Sequence, residues 1–149
     1  MEAGFLPGMS SMSGKVFVDT NILIYAHDLD SGVKHEAAAT LLSQLWEEKT
    51  GVLSTQVIQE FYVNVTRKIP HPLSPAQARG LIDNYFAWPI IINGTETIRR
   101  ASEIEERYHL SFWDALIIAA AIQANADRVA SEDFSAGVMI EGLLIVNPL

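Results

Sequence analysis

The chain has 149 residues, 49% hydrophobic and 19% charged, the balance expected of one soluble globular domain large enough for a real core. A formal net charge of −8 argues against a general nucleic-acid coat, because phosphate binding favours basic surface. The absence of cysteine excludes a disulfide framework and a thiolate zinc site and fits a reducing cytoplasm. The longest apolar run, Ala115 to Ile122, spans 8 residues, much too short to cross a bilayer, so no membrane association is expected.

Residues 1–14, MEAGFLPGMSSMSG, lack a basic segment followed by an apolar one, so no signal peptide is expected. They read as a flexible N-terminal tail, with Met9 or Met12 as alternative starts, and residues 15–149 as a single domain. Lys15 to Asp19 (KVFVD) reads as a short buried strand and a turn. A first helix follows from about Ile22, with Thr20 or Asn21 near its cap. Lys34 to Lys49 has Ala38, Leu41, Leu42, Leu45 and Trp46 at helical spacing. Gly51 opens a short strand, Val52-Leu53. Gln56 to Ile69 is a helix with a stripe of Val57, Ile58, Phe61, Tyr62 and Val65, ended by Pro70. Ser74-Pro75 begins another, running to about Phe86. Trp88 to Ile92 is a possible strand and Thr95 to Tyr108 an amphipathic helix. Ser111 caps an apolar helix reaching about Asn125. Arg128 to Ala130 and Leu143 to Val146 are the closing strands.

Strands separated by helices predict an α/β fold with a parallel or mostly parallel sheet covered on both faces. In such sheets, sites form outside the carboxyl ends of the strands. Asp19 directly follows the first strand, and Asp133 follows Ala130 by three residues. If those strands are parallel, both acids share one sheet edge.

Four acids stand out: Asp19, Glu60, Asp114 and Asp133. Asp114 is the one charged residue of FWDALIIAAAIQA, a run that, with Trp113, reads as a core helix. A carboxylate beside a buried helix needs donors, a proton or a cation. Several gathered by the fold would make a site for hard divalent cations and for metal-assisted phosphodiester hydrolysis. Each acid also has a purely structural reading. Asp19 in Asp-Thr-Asn suits a turn or cap. Glu60 suits a solvated helix face, with Gln56 and Asn64 one turn to either side. Asp114 completes a Ser-x-x-acid capping box with Ser111. Asp133 suits a loop, with Glu132 as its competitor. Basic residues cluster at Arg67-Lys68, Arg99-Arg100 and Arg107, so a nucleic acid would be held by a local patch plus metal. Removing the four acids leaves −4, and the acidic remainder suits a basic protein partner.

Other chemistries fit less well. No phosphate loop, nucleophile elbow or dinucleotide fingerprint is present. His27, His35, His71 and His109 lack zinc spacing and read mostly as surface or loop residues. The aromatics, mostly at helical spacing, read as core.

The strings VFVDTNILIYA, STQVIQEFYVNVTRK, LSFWDALIIAAA, SEDF and IVNPL, in this order from about Lys15 to Leu149, resemble the PIN-domain family. Within it they are most similar to the VapC-type toxins of bacterial toxin–antitoxin pairs. Ser131 stands where that family often has threonine. The resemblance implies a three-layer α/β/α sandwich and an endoribonuclease dependent on Mg²⁺ or Mn²⁺. It places the family's acids on Asp19, Glu60, Asp114 and Asp133, with Thr20, Asn21 and Ser131 in support. It further implies a homodimer, a cognate antitoxin and a structured RNA substrate such as tRNA. The dimer would use apolar surface on the helices from Lys34 and Ser74, and an antitoxin segment would set a basic side chain in the acidic site. The rival readings are a catalytically silent RNA- or protein-binding module, a metal-dependent phosphatase or DNA nuclease of similar fold, and a structural domain whose acids are caps.

Overall fold

The computed structural model describes residues 13–149. The expected tail therefore falls outside the described residues, except for Ser13 and Gly14. Their backbone N–H groups donate to the Asp127 carboxylate.

Six strands, β1 (Val16–Val18), β2 (Gly51–Ser54), β3 (Ile90–Ile91), β4 (Arg128–Ala130), β5 (Met139–Ile140) and β6 (Leu143–Val146), form one sheet in the order β3-β2-β1-β4-β6-β5. Every pairing is parallel except β5 with β6. The register sets Phe17 beside Val52 and Val129, and Val129 beside Ile145. All four side chains are buried, so an apolar row crosses the middle of the sheet. Cutting Phe17 back to alanine would cost about 3–5 kcal/mol, a large part of a small domain's stability. Gly51 opens β2 because a Cβ there would collide with the Trp88 ring.

The helices are α1 (Thr20–His27), α2 (Val33–Glu48), α3 (Thr55–Arg67), α4 (Pro75–Tyr85), α5 (Thr95–Tyr108) and α6 (Phe112–Gln123). α1 packs on α2 and α3, and α3 packs on α4. α5 packs on α6, which lies against β2, β4 and β6. With parallel crossovers taking their usual right hand, β1-β2-β3 running one way and β4 lying on the other side of β1 put the α1–α4 group on one face and α5–α6 on the other. This is the three-layer α/β/α architecture with a mostly parallel sheet.

Local chemistry sets the element ends. Ser74 and Gln77 form a capping box behind Pro75. Asp19, not Thr20 or Asn21, is the N-cap of α1: it has extended backbone and its Oδ1 accepts from the Thr20 N–H at 2.7 Å. Thr20 is already the first helical residue. β5 is an addition to the expected strands. Glu141 and Gly142, both left-handed at φ 52° and 86°, turn the chain from β5 into β6 as a two-residue hairpin. His27 is also half-buried, with Nε2 2.7 Å from the Tyr85 hydroxyl, where a surface or loop place was expected.

Candidate acidic site

The strand order reverses direction at β1. β2 and β3 lie on one side and β4, β6 and β5 on the other. Such a switch point opens a crevice outside the carboxyl ends of the strands. Here the Asp19 N–H donates to the Ala130 carbonyl at 2.9 Å, and the Ser131 N–H donates to Val146 at the same distance. The sheet's ladder thus continues to the edge of the crevice and fixes Asp19 and Ser131 side by side.

A cleft of about 460 Å³ lies there. Asp19, Thr20, Asn21, Glu60, Asp114 and Asp133 all line it. Ser131 is fully buried next to Asp19. The seven residues named from the sequence therefore meet at one place, contributed by the ends of β1 and β4, the first turns of α1 and α6, and the middle of α3.

Hydrogen bonds orient the carboxylates. Ser131 Oγ donates to Asp19 Oδ2 at 2.7 Å and accepts from the Asp133 N–H at 3.0 Å. One hydroxyl thereby ties the two acids, 114 positions apart in sequence, into a single network. Thr20 Oγ1 donates to Glu60 Oε1 at 2.6 Å. Asn21 Nδ2 lies 2.9 Å from both oxygens of Asp133. Consecutive residues at the start of α1 thus position two acids arriving from α3 and from the loop after β4.

Glu132 turns away. It accepts from Tyr25 Oη at 2.5 Å and pairs with Lys34 Nζ at 3.0 Å. That separates it from Asp133. The Asp114 N–H donates to Ser111 Oγ at 3.1 Å, which is half of a capping box. Among the described residues, no hydrogen bond engages the Asp114 carboxylate, so capping leaves that group free.

Among the described residues, the four carboxylates of the cleft outnumber its cations. Asp19 is 4% exposed, and burial pushes its pKa up to about 6 against the Ser131 and Thr20 hydrogen bonds. Nearby Asp133 and Asp114 push it further. Asp133 is raised too, by partial desolvation and then by Asp114 and Glu132, with Asn21 opposing. Lys68 is the single cation among the described residues lining the cleft. The basic clusters on α5 are spent elsewhere: Arg99 pairs with Glu96, and Arg100 and Arg107 with Glu141.

No three His, Asp or Glu side chains among the described residues are grouped so as to hold a metal ion as they stand. The donor set still fits a hard divalent cation. It offers only oxygens in the carboxylates, hydroxyls and amide carbonyls around one cleft. Asp114 and Glu60 are only partly buried and have room to turn, and water can bridge the remaining distance.

Two further lining residues, Gln56 and Trp113, take places at the site that the sequence reading did not assign to them. Gln56 is buried, with Nε2 3.3 Å from both Glu60 Oε2 and the Trp113 carbonyl. Its Oε1 has no hydrogen-bond partner among the described residues. Trp113, expected in the core, is 63% exposed at the rim of the cleft.

An α/β domain with carboxylates converging on the switch point of a mostly parallel sheet defines the class. The PIN domain model matches residues 16–135, and the chain belongs to the PIN-domain family. Among curated proteins, none matches the sequence significantly. Among solved structures, it is similar to a toxin–antitoxin complex from Klebsiella pneumoniae, at 22% identity and TM-score 0.66 over 91% of this chain and 98% of that one. It is also similar to VapC20 of Mycobacterium tuberculosis, described as a sarcin-ricin loop cleaving toxin, at 20% identity and TM-score 0.61 over 80% and 90%. A DNA-bound VapBC from Salmonella typhimurium aligns at 13% identity and TM-score 0.65 over 91% and 98%. At these identities the likeness speaks for the fold.

Proposed function

We propose that the protein is a divalent-metal-dependent endoribonuclease, the toxin of a toxin–antitoxin pair, cutting structured RNA such as tRNA. The observation that carries this reading is the meeting of four carboxylates from four separate segments in one cleft with a single cation. Asp19, Asp114 and Glu60 would hold Mg²⁺ or Mn²⁺, directly or through water, with Asp133 holding the same ion or a second. When bound, such a cation lowers the pKa of a water molecule and stabilises charge building on the phosphate. The chain's own part is orientation. Ser131 Oγ keeps Asp19 Oδ2 facing one way, Thr20 holds one oxygen of Glu60, and Asn21 holds both oxygens of Asp133. In-line attack by water leaves 5′-phosphate and 3′-hydroxyl ends. A cyclic phosphate would count against water as the nucleophile.

The partners belong to the same proposal. A cognate antitoxin would cover the cleft with a basic side chain, in keeping with the toxin–antitoxin complex among the similar structures. A homodimer would use the side of α2 and α4, where Trp46 and Phe86 leave apolar surface exposed. A cytoplasmic setting suits the cysteine-free chain. Among the described residues, no helix is long and apolar enough to cross a membrane.

The second reading is a PIN-like module that binds RNA or protein without cutting. The lack of a ready-grouped ligand set among the described residues favours it. Total tRNA incubated with the protein and Mn²⁺ or Mg²⁺ separates the two. Discrete fragments that vanish with EDTA and with Asp114→Asn support the nuclease. Intact RNA from folded, antitoxin-free protein supports the binding module.

A further inference from the structure

Trp113 sits in an apolar run whose residues Ala115 to Ala121 are all buried, yet its own side chain faces solvent. A single exposed hydrophobic residue needs no explanation by itself. What distinguishes this one is its place. It lines the acidic cleft and immediately precedes Asp114. It is also braced. The Phe112 ring meets it edge-on, with centroids 5.4 Å apart, and its carbonyl accepts from Gln56 Nε2.

Electrostatics gives the indole a task. An RNA strand entering this cleft meets four carboxylates and, among the described lining residues, only Lys68 as a cation. The arginines of α5 are engaged by acids. The protein's own side chains in the cleft thus offer the phosphates little countercharge, which leaves that part to the bound cation and leaves the bases to be held by other means. Stacking on an aromatic face needs no charge and accepts any base.

We propose that Trp113 is a stacking platform for one unpaired nucleobase beside the phosphate at the acidic cleft. This rests on the nuclease reading, since it takes the substrate to be RNA. A base held in a duplex has both faces covered by its neighbours, so the platform selects single strands, loops or bulges over paired RNA.

The test is intrinsic fluorescence of the full chain, titrated in Ca²⁺ with a short single-stranded RNA, the same strand in a duplex, and the same strand carrying abasic residues. The single strand is expected to quench a part of the emission that Trp113→Phe lacks. The duplex and the abasic strand bind about ten-fold more weakly or worse. In steady-state cleavage, Trp113→Ala raises KM about ten-fold with kcat changed less than about two-fold. Trp113→Phe restores most of the loss. Equal affinity for the abasic strand or for the duplex overturns the proposal. So does a Trp113→Ala protein whose KM is unchanged, or one whose altered sedimentation shows that the indole serves contact between two copies while RNA binding stays the same. Quenching by the single strand without cleavage in Mg²⁺ or Mn²⁺ keeps the platform and removes the nuclease reading. Cleavage indifferent to Trp113 does the reverse.

Discussion

Asp19 and Glu141 are both carboxylates largely withdrawn from water, and the fold treats them in opposite ways. Glu141, at the hairpin between β5 and β6, is ringed by donors: Tyr108 Oη at 2.7 Å, Arg107 Nη1 at 2.9 Å and Arg100 Nη2 at 3.1 Å. The Tyr108 hydroxyl, with the two guanidinium groups, holds its pKa below the usual carboxylate range. Asp19 is more deeply buried, has two neutral donors and faces other acids, and its pKa rises to about 6. The fold supplies Glu141 with its own countercharge, and the result is a fastening between α5 and the hairpin. It supplies Asp19 with none. Under the proposed function, a carboxylate positioned that firmly, with no cation paired to it among the described residues, would take its countercharge from a bound metal ion.

The largest effect that separates the two sites is on cleavage. Asp114→Asn is expected to slow RNA cleavage by about 1,000-fold, the scale of removing one group that stabilises the transition state. Glu141→Gln should leave the rate within about two-fold. Gel-resolved cleavage rates decide it, and equal losses would erase the distinction between site and fastening.

The next contrast is in pH. Asp19 has a folded pKa above its unfolded value of 3.8, so its contribution to stability is fully present below pH 3.8 and is lost as pH rises to about 6. The loss amounts to about 3 kcal/mol in metal-free protein, by order of magnitude. Glu141 has the opposite sign: its contribution is present above the ordinary glutamate range and is lost as pH falls through its lowered folded pKa. Denaturant melts from pH 4 to pH 7 in EDTA should show a decline that Asp19→Asn removes. Saturating Mg²⁺ should raise stability at neutral pH, by about 2.7 kcal/mol at a hundred times the Kd.

Ser131→Ala removes the hydroxyl that ties Asp19 to Asp133 while leaving every carboxylate in place. Metal affinity should drop about 10–100-fold, read by titration with Mn²⁺. An unchanged affinity would mean that the relay orients nothing of consequence. The smallest effect belongs to the fastening. Glu141→Gln should lower the melting temperature by about 2–4 °C, because its arginine partners are substantially exposed and screened.

The sequence shows the two sites unequally, for physical reasons. Strand ends and helix starts carry local signals, but each of Asp19, Asp114 and Asp133 also suits a turn, cap or loop, and what singles them out is the sheet edge that the parallel topology makes them share. The long elements follow their apolar spacing: α5 lies where its periodicity predicts, and α4 begins at its Ser-Pro cap. The hairpin at Glu141 had no such signal, since β5 is two residues long and Glu-Gly is a weaker turn mark than Asn-Gly. Trp113 was read as core because the run around it is apolar on every side. Its exposure comes from its place at the start of α6 beside the cleft, which periodicity does not encode. The partnerships of Asn21 with Asp133 and of Thr20 with Glu60 likewise bridge distant segments and depend on the sheet register.

The most direct test of the account is Mn²⁺ binding at pH 7.5 by titration calorimetry, with the unaltered protein, Asp19→Asn and Glu141→Gln side by side. The account predicts a site that Glu141→Gln retains and that Asp19→Asn weakens by about ten-fold or more. Binding that is absent, or that survives Asp19→Asn unchanged, would contradict the claim that the uncompensated carboxylates at the switch point are a metal site.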